Sequence, residues 1–116
     1  MIDNDAWTME ERLWREGESA YRDLVHPGCI MVFVAPLGIL QGSEIIESIR
    51  QSPRWDWIRM TEKCFAQPSD DVMVLAYRAL ANRRETEAYH AYCTSTYHAC
   101  ENDWKLVQHQ QTPHAI

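Results

Sequence analysis

The sequence predicts an α+β domain, on three observations: helical periodicity fills the first quarter, one further helical segment follows a short strand pair, and the whole second half reads as consecutive strands joined by polar turns. From Trp7 onward, apolar or small residues recur at Leu13, Trp14, Gly17, Ala20, Tyr21, Leu24 and Val25, the spacing of one amphipathic helix. Thr8 with Glu11 has the spacing of a capping box, and Asp5 is an equally good start signal; His26-Pro27-Gly28 marks the end. The run Cys29 to Ala35 is rich in β-branched and aromatic residues, predicting a strand covered on both faces. Pro36 and Gly38 separate it from a short second strand, Ile39 to Gln41. Gly42-Ser43 then offers a start for a helix that turns Ile45, Ile46 and Ile49 inward and stops before Pro53. Four strands follow: Trp57 to Gln67, Val72 to Asn82, Thr86 to Ala99 and Trp104 to Gln111. They are separated by Pro68-Ser69-Asp70-Asp71, Arg83-Arg84-Glu85 and Glu101-Asn102-Asp103. Residues 1–116 contain no repeat or linker, so one domain is expected.

Seventeen acidic residues against eleven basic ones give a net charge of -6, which repels phosphate backbones and anionic membrane surfaces, so neither nucleic acid nor membrane is an expected partner. No apolar run approaches the roughly 18 residues of a membrane helix, and Asp3, Asp5, Glu10 and Glu11 do not have the order of a signal peptide; a cytoplasmic protein is expected. Cys29, Cys64, Cys93 and Cys100 form no CxxC and read as reduced structural thiols.

Several phrases carry a resemblance: Glu11-Arg12-Leu13-Trp14, Met31-Val32-Phe33 followed by Pro36 and Gly38, Pro53-Arg54-Trp55, Leu75-Ala76-Tyr77-Arg78, Cys93-Thr94-Ser95-Thr96-Tyr97, and Trp104-Lys105-Leu106-Val107 with His109-Gln110-Gln111-Thr112-Pro113. From about residue 10 to Pro113 the chain resembles a small bacterial family of the nuclear transport factor 2-like superfamily, which includes ketosteroid isomerase, SnoaL-like cyclases and the calcium/calmodulin kinase association domain. The resemblance implies a curved antiparallel sheet wrapped round N-terminal helices into a cone with an internal pocket, commonly dimeric through the sheet. It implies no reaction, since such folds host enzymes, binding modules and assembly domains alike.

The segment Val107-Gln108-His109-Gln110-Gln111 puts one imidazole and three amides in a closing strand. If Glu101-Asn102 is a two-residue hairpin loop, Tyr97 pairs with Leu106, Ser95 with Gln108 and Cys93 with Gln110. Alternation then turns Tyr89, Ala91, Cys93, Ser95, Tyr97, Trp104, Leu106, Gln108 and Gln110 inward, and His90, Tyr92, Thr94, Thr96, His98, Lys105, Val107, His109 and Gln111 outward. The expected ligand-binding set is Trp14, Phe33, Tyr77, Cys93, Ser95, Tyr97, Gln108 and Gln110. A single bulge would exchange the faces.

Proton-transfer chemistry would need a pocket carboxylate, for which Glu18 on the first helix and Glu62 on the third strand are the candidates, with Tyr77, Tyr89 or Tyr97 as donors. No catalytic residue is assigned. Cys93 lacks an imidazole on its own face, and His90 and His98 stand eight residues apart, about 26 Å at about 3.3 Å each, so neither a cysteine nucleophile nor a metal site is expected. No cofactor is expected. Trp14, Tyr21, Phe33, Trp55, Trp57, Tyr77 and Trp104 read first as core. The outward face carrying Tyr92, Thr94, Thr96, Val107 and His109 is too apolar for water, predicting a homodimer through it. The preferred function is binding of a small hydrophobic ligand in an apolar pocket. A cofactor-free isomerase, cyclase or hydrolase is the alternative, and a pure dimerisation domain the second.

Overall fold

The computed structural model describes residues 3–83 and 88–114. In chain order these form α1 (Asp3–Arg15), α2 (Glu18–Leu24), β1 (Val25–Val32), β2 (Ile39–Gln41), α3 (Ser43–Gln51), β3 (Trp57–Ser69), β4 (Val72–Asn82), β5 (Tyr89–Cys100) and β6 (Asp103–Pro113). The six strands make one open sheet in the order β2-β1-β6-β5-β4-β3, with β1 and β6 parallel and every other neighbouring pair antiparallel. It is the expected α+β arrangement, a curved sheet folded round its helices, although the sheet is mixed.

The apolar stripe expected as one helix is two. Gly17, with φ +70, sits in the left-handed region that favours glycine, and the chain turns there between α1 and α2. Because α1 begins at Asp3, Asp5, Thr8 and Glu11 lie inside it rather than at its start. The first strand starts at Val25, four residues early, and ends at Val32. Nor is it covered on both faces: Cys29 and Met31 are buried, while Ile30 and Val32 are exposed. The expected turn at Arg84-Glu85 and the strand start at Thr86 lie outside the described residues.

Strand alternation builds the core. Met73, Leu75, Tyr77, Ala79 and Ala81 of β4, and Ala91, Cys93, Ser95 and Tyr97 of β5, all face the helices and are buried, as period-two side chains on a half-covered sheet must be. Against them pack Ala6, Leu13, Trp14, Ala20 and Leu24 from the first two helices, and Ile45 from α3. Trp104 packs on this core only partly buried, and Trp57 is exposed, so the aromatic set is not uniformly internal.

The last hairpin carries the decisive irregularity. Cys100 pairs with Asp103 and Tyr97 with Leu106, as the two-residue loop predicts, but Thr96 then pairs with Gln108, Ser95 with His109 and Cys93 with Gln111. Val107 is the extra residue of a β-bulge. Beyond it every side chain of β6 changes face, so His109 and Gln111 point inward and Gln108 and Gln110 outward, the reverse of the uninterrupted ladder.

Candidate functional site

An internal cavity of about 520 Å³ lies between the helices, the β1–β2 connection and the inner face of β6. Its deep end is formed by Glu10, Met31, Ile45, Leu106 and His109, all buried, and its outer wall by Trp14, Trp55 and Tyr89. The three outer rings pack together, with centroids 5.6 Å apart for Trp14 and Trp55, 5.1 Å for Trp55 and Tyr89, and 6.4 Å for Trp14 and Tyr89.

Glu10 is only 1% exposed. A buried carboxylate is tolerated only when its oxygens are satisfied, and three hydroxyls do this. Tyr97 donates to Oε1 at 2.7 Å, while Tyr77 and Ser95 each donate to Oε2 at 2.5 Å. Tyr77 in turn accepts from the Trp14 indole N–H at 2.9 Å. Burial, reinforced by the adjacent Glu10 charge, holds the Tyr77 and Tyr97 phenols well above their ordinary range.

His109 continues this network towards the cavity. Its Nδ1 is 2.7 Å from Ser95 Oγ and 3.6 Å from Glu10 Oε2, and its Nε2 is 3.0 Å from Gln111 Oε1. Gln111 Nε2 donates to the Tyr89 hydroxyl at 2.9 Å, which leaves the amide oxygen facing the imidazole, so Nε2 of His109 carries a proton. A carboxylate, a hydroxyl and an imidazole thus stand in one hydrogen-bonded line that runs from the core to the cavity.

Of the expected ligand-binding residues, Trp14 and Phe33 line the cavity. Tyr77, Ser95 and Tyr97 turn their hydroxyls to Glu10, and Cys93 packs in the core beside Tyr77. Gln108 and Gln110 do not face it: past the bulge, Gln108 bonds Thr96 and Thr94, and Gln110 bonds Thr112. His109, expected on the outer dimer face, is inside for the same reason, and so shares a face with Cys93. Burial pushes the Cys93 thiol up to about 12, aided by the nearby Glu10 charge, which leaves a neutral thiol and no nucleophile. Of the candidate bases, half-buried Glu18 stands at the cavity rim, where hydrogen bonds from Arg50 and Arg22 hold it down at about 2, whereas exposed Glu62 does not line the cavity and sits at a bulge of β3 with φ +52.

Glu10 was missed, yet its position is legible: Ala6, Glu10, Leu13 and Gly17 recur at helical spacing along the apolar stripe, so an acid occupies a core position. Among the described residues no cluster of three or more His, Cys, Asp or Glu side chains could hold a metal ion.

Solved structures decide the fold. A provisionally named ketosteroid isomerase from Parabacteroides distasonis superposes with a TM-score of 0.83 at 18% identity, covering 98% of this chain and 89% of that one. An NTF2-like protein from Cytophaga hutchinsonii gives 0.81 at 10% identity, covering 98% and 100%. The chain has the nuclear transport factor 2-like fold. The association domain of C. elegans CaMKII is similar too, with a TM-score of 0.74 at 16% identity over 93% of this chain and 89% of that one. No family model matches the chain, and no curated protein matches it in sequence. Among the described residues of this nuclear transport factor 2-like chain, no helix is long and apolar enough to cross a membrane.

Proposed function

We propose that the chain is a single-domain small-molecule-binding protein whose ligand, flat and largely apolar, lies in the cavity against Trp14, Trp55, Tyr89 and Phe33 and presents a polar atom to His109 and Gln111. The observation that carries this reading is the cavity itself: about 520 Å³, walled by aromatic rings, with a few polar groups converging at one end, falls within the range of small-molecule sites. A pure assembly domain would have no use for the space. A reducing, cytoplasmic setting suits the free thiols of Cys29, Cys64, Cys93 and Cys100. Mass spectrometry of small molecules released when the purified chain is denatured tests the reading. A species bound by the wild type but not by a Leu37→Trp variant, which plugs the cavity rim, is expected; identical release from both proteins would contradict it.

A second reading, cofactor-free proton transfer, is favoured by one observation: the buried carboxylate Glu10 and the imidazole of His109 share a proton line that ends at the cavity. Against it, both ring nitrogens and both carboxylate oxygens already have partners, so a substrate would have to displace Gln111 to reach His109. Exchange of α-protons of cyclic ketones with deuterated solvent, lost in Glu10→Gln, would favour this reading over simple binding.

The chain also forms, on our reading, a homodimer through the outer sheet face. Tyr92 is 51% exposed there, the exposed Ile30 and Val32 lie on the same face across β6, and Thr94, Thr96 and Val107 share the surface.

A further inference from the structure

Three guanidinium groups, Arg50, Arg54 and Arg83, line the cavity. Arg50 is neutralised where it stands: it donates to both oxygens of Glu18 at 2.9 and 3.0 Å and lies 3.6 Å from Glu47. Glu18, the acid at the same rim, is compensated a second time by Arg22 at 2.6 Å. Arg83 lies over the Trp55 ring, its Cζ 3.7 Å from the centroid, and brings positive charge to the aromatic wall.

Arg54 is different. Its hydrogen bond is a long one, from Nη1 to the carbonyl of Arg15 at 3.4 Å, and among the described residues no carboxylate forms an ion pair with it. The group is nonetheless held in place. Arg15 is the last residue of α1, whose carbonyl end attracts a cation, and the guanidinium lies so close over Gly17 that a Cβ there would be 2.5 Å from Cζ and Nη1. A glycine at this position, besides permitting the turn between α1 and α2, therefore admits a cation to the cavity edge.

We infer that the cavity takes an aromatic anion, its ring against Trp14, Trp55 and Tyr89 and its carboxylate on Arg54. The inference rests on the reading of the cavity as a ligand site and adds the charge of the ligand. A guanidinium offers a carboxylate two parallel N–H donors, a geometry that a neutral ring cannot use. On a chain of net charge -6, a cation without an acidic partner beside π walls is where an anion can be held. The other charge in the cavity does not oppose this. Glu10 lies at the deep end under three hydroxyls and His109, so the anionic head stays at the rim while the ring points inward.

Equilibrium dialysis with naphthoate and its neutral counterpart naphthamide tests the inference. Naphthoate is expected to bind at least about tenfold more tightly, the worth of a charged hydrogen-bonded contact. Arg54→Gln should abolish that preference and Arg54→Lys should retain part of it, with both variants unfolding at the wild-type urea midpoint, because Arg54 is exposed. Equal binding of the two probes, or a preference unchanged in Arg54→Gln, would overturn the anion site while leaving the cavity reading intact. Binding of neither probe would overturn both.

Discussion

Glu10 Oε2 and His109 Nδ1 stand 3.6 Å apart, joined through the Ser95 hydroxyl, which is 2.5 Å from the carboxylate and 2.7 Å from the ring. One residue comes from the first helix and the other from the last strand, so the pair ties the two ends of the chain together in the core. Glu10→Ala removes the acceptor shared by three buried hydroxyls, although Ser95 keeps His109 and Tyr77 keeps the Trp14 indole as neighbours; at about 1–3 kcal/mol for each buried donor left unsatisfied, a loss of about 3 kcal/mol is expected in urea unfolding. Glu10→Gln keeps one carbonyl acceptor and should lose about 1–2 kcal/mol. Both variants within about 0.5 kcal/mol of wild type would mean that the carboxylate is not the hub of the network.

Stability should fall at alkaline pH. The folded-state values of Tyr77 and Tyr97 lie well above the ordinary 10.0, and those of Cys29 and Cys93 are pushed from 9.0 up to about 12, in each case chiefly by burial. For groups raised on folding, the stability they contribute is complete below the unfolded-state value and is lost as pH rises through the folded one, because the unfolded chain releases protons that the folded chain keeps. The urea midpoint should therefore hold to about pH 9 and decline steadily towards about pH 12. A midpoint that is flat or rising over that window would contradict the burial of these groups.

The thiols should separate by exposure. Cys64 is exposed and should react with an aromatic disulfide reagent at once, whereas Cys29 and Cys93, buried and neutral, should react only on global unfolding. Rapid labelling of Cys93 in the native protein, read by mass spectrometry, would reopen nucleophilic chemistry at this residue.

For the proposed homodimer, wild-type protein should sediment as a dimer at tens of micromolar, while Thr96→Arg combined with Val107→Glu should sediment as a folded monomer by circular dichroism. A monomeric wild type would remove the sheet-face interface altogether.

The uneven legibility of this chain has physical causes. Period two in β4 and β5 is unbroken from Met73 to Ala81 and from Ala91 to Tyr97, so their inner faces could be assigned from alternation alone. In β6 the same reasoning holds through Leu106 and fails at His109, because the bulge at Val107 has no residue signature of its own: no glycine or proline marks it. Uninterrupted alternation thus points Gln108 and Gln110 inward, one residue out of step with His109 and Gln111. Gly17 fitted the apolar stripe as a small residue, and spacing alone does not register its left-handed conformation or the arginine that rests on it. Glu10 could have been found, since helical spacing already put it between Ala6 and Leu13 on the buried face.

The central claim, that the cavity is a small-molecule site reached past aromatic rings and ending at His109, is tested most directly by two-dimensional NMR of labelled protein titrated with a set of flat aromatic fragments. The account predicts saturable shifts of the Trp14 and Trp55 indole N–H, the Gln111 side-chain amide and the His109 ring, with Tyr92 on the outer face unmoved. Fragments that shift Tyr92 and its neighbours while leaving the cavity signals in place, or that shift none of them, would contradict it.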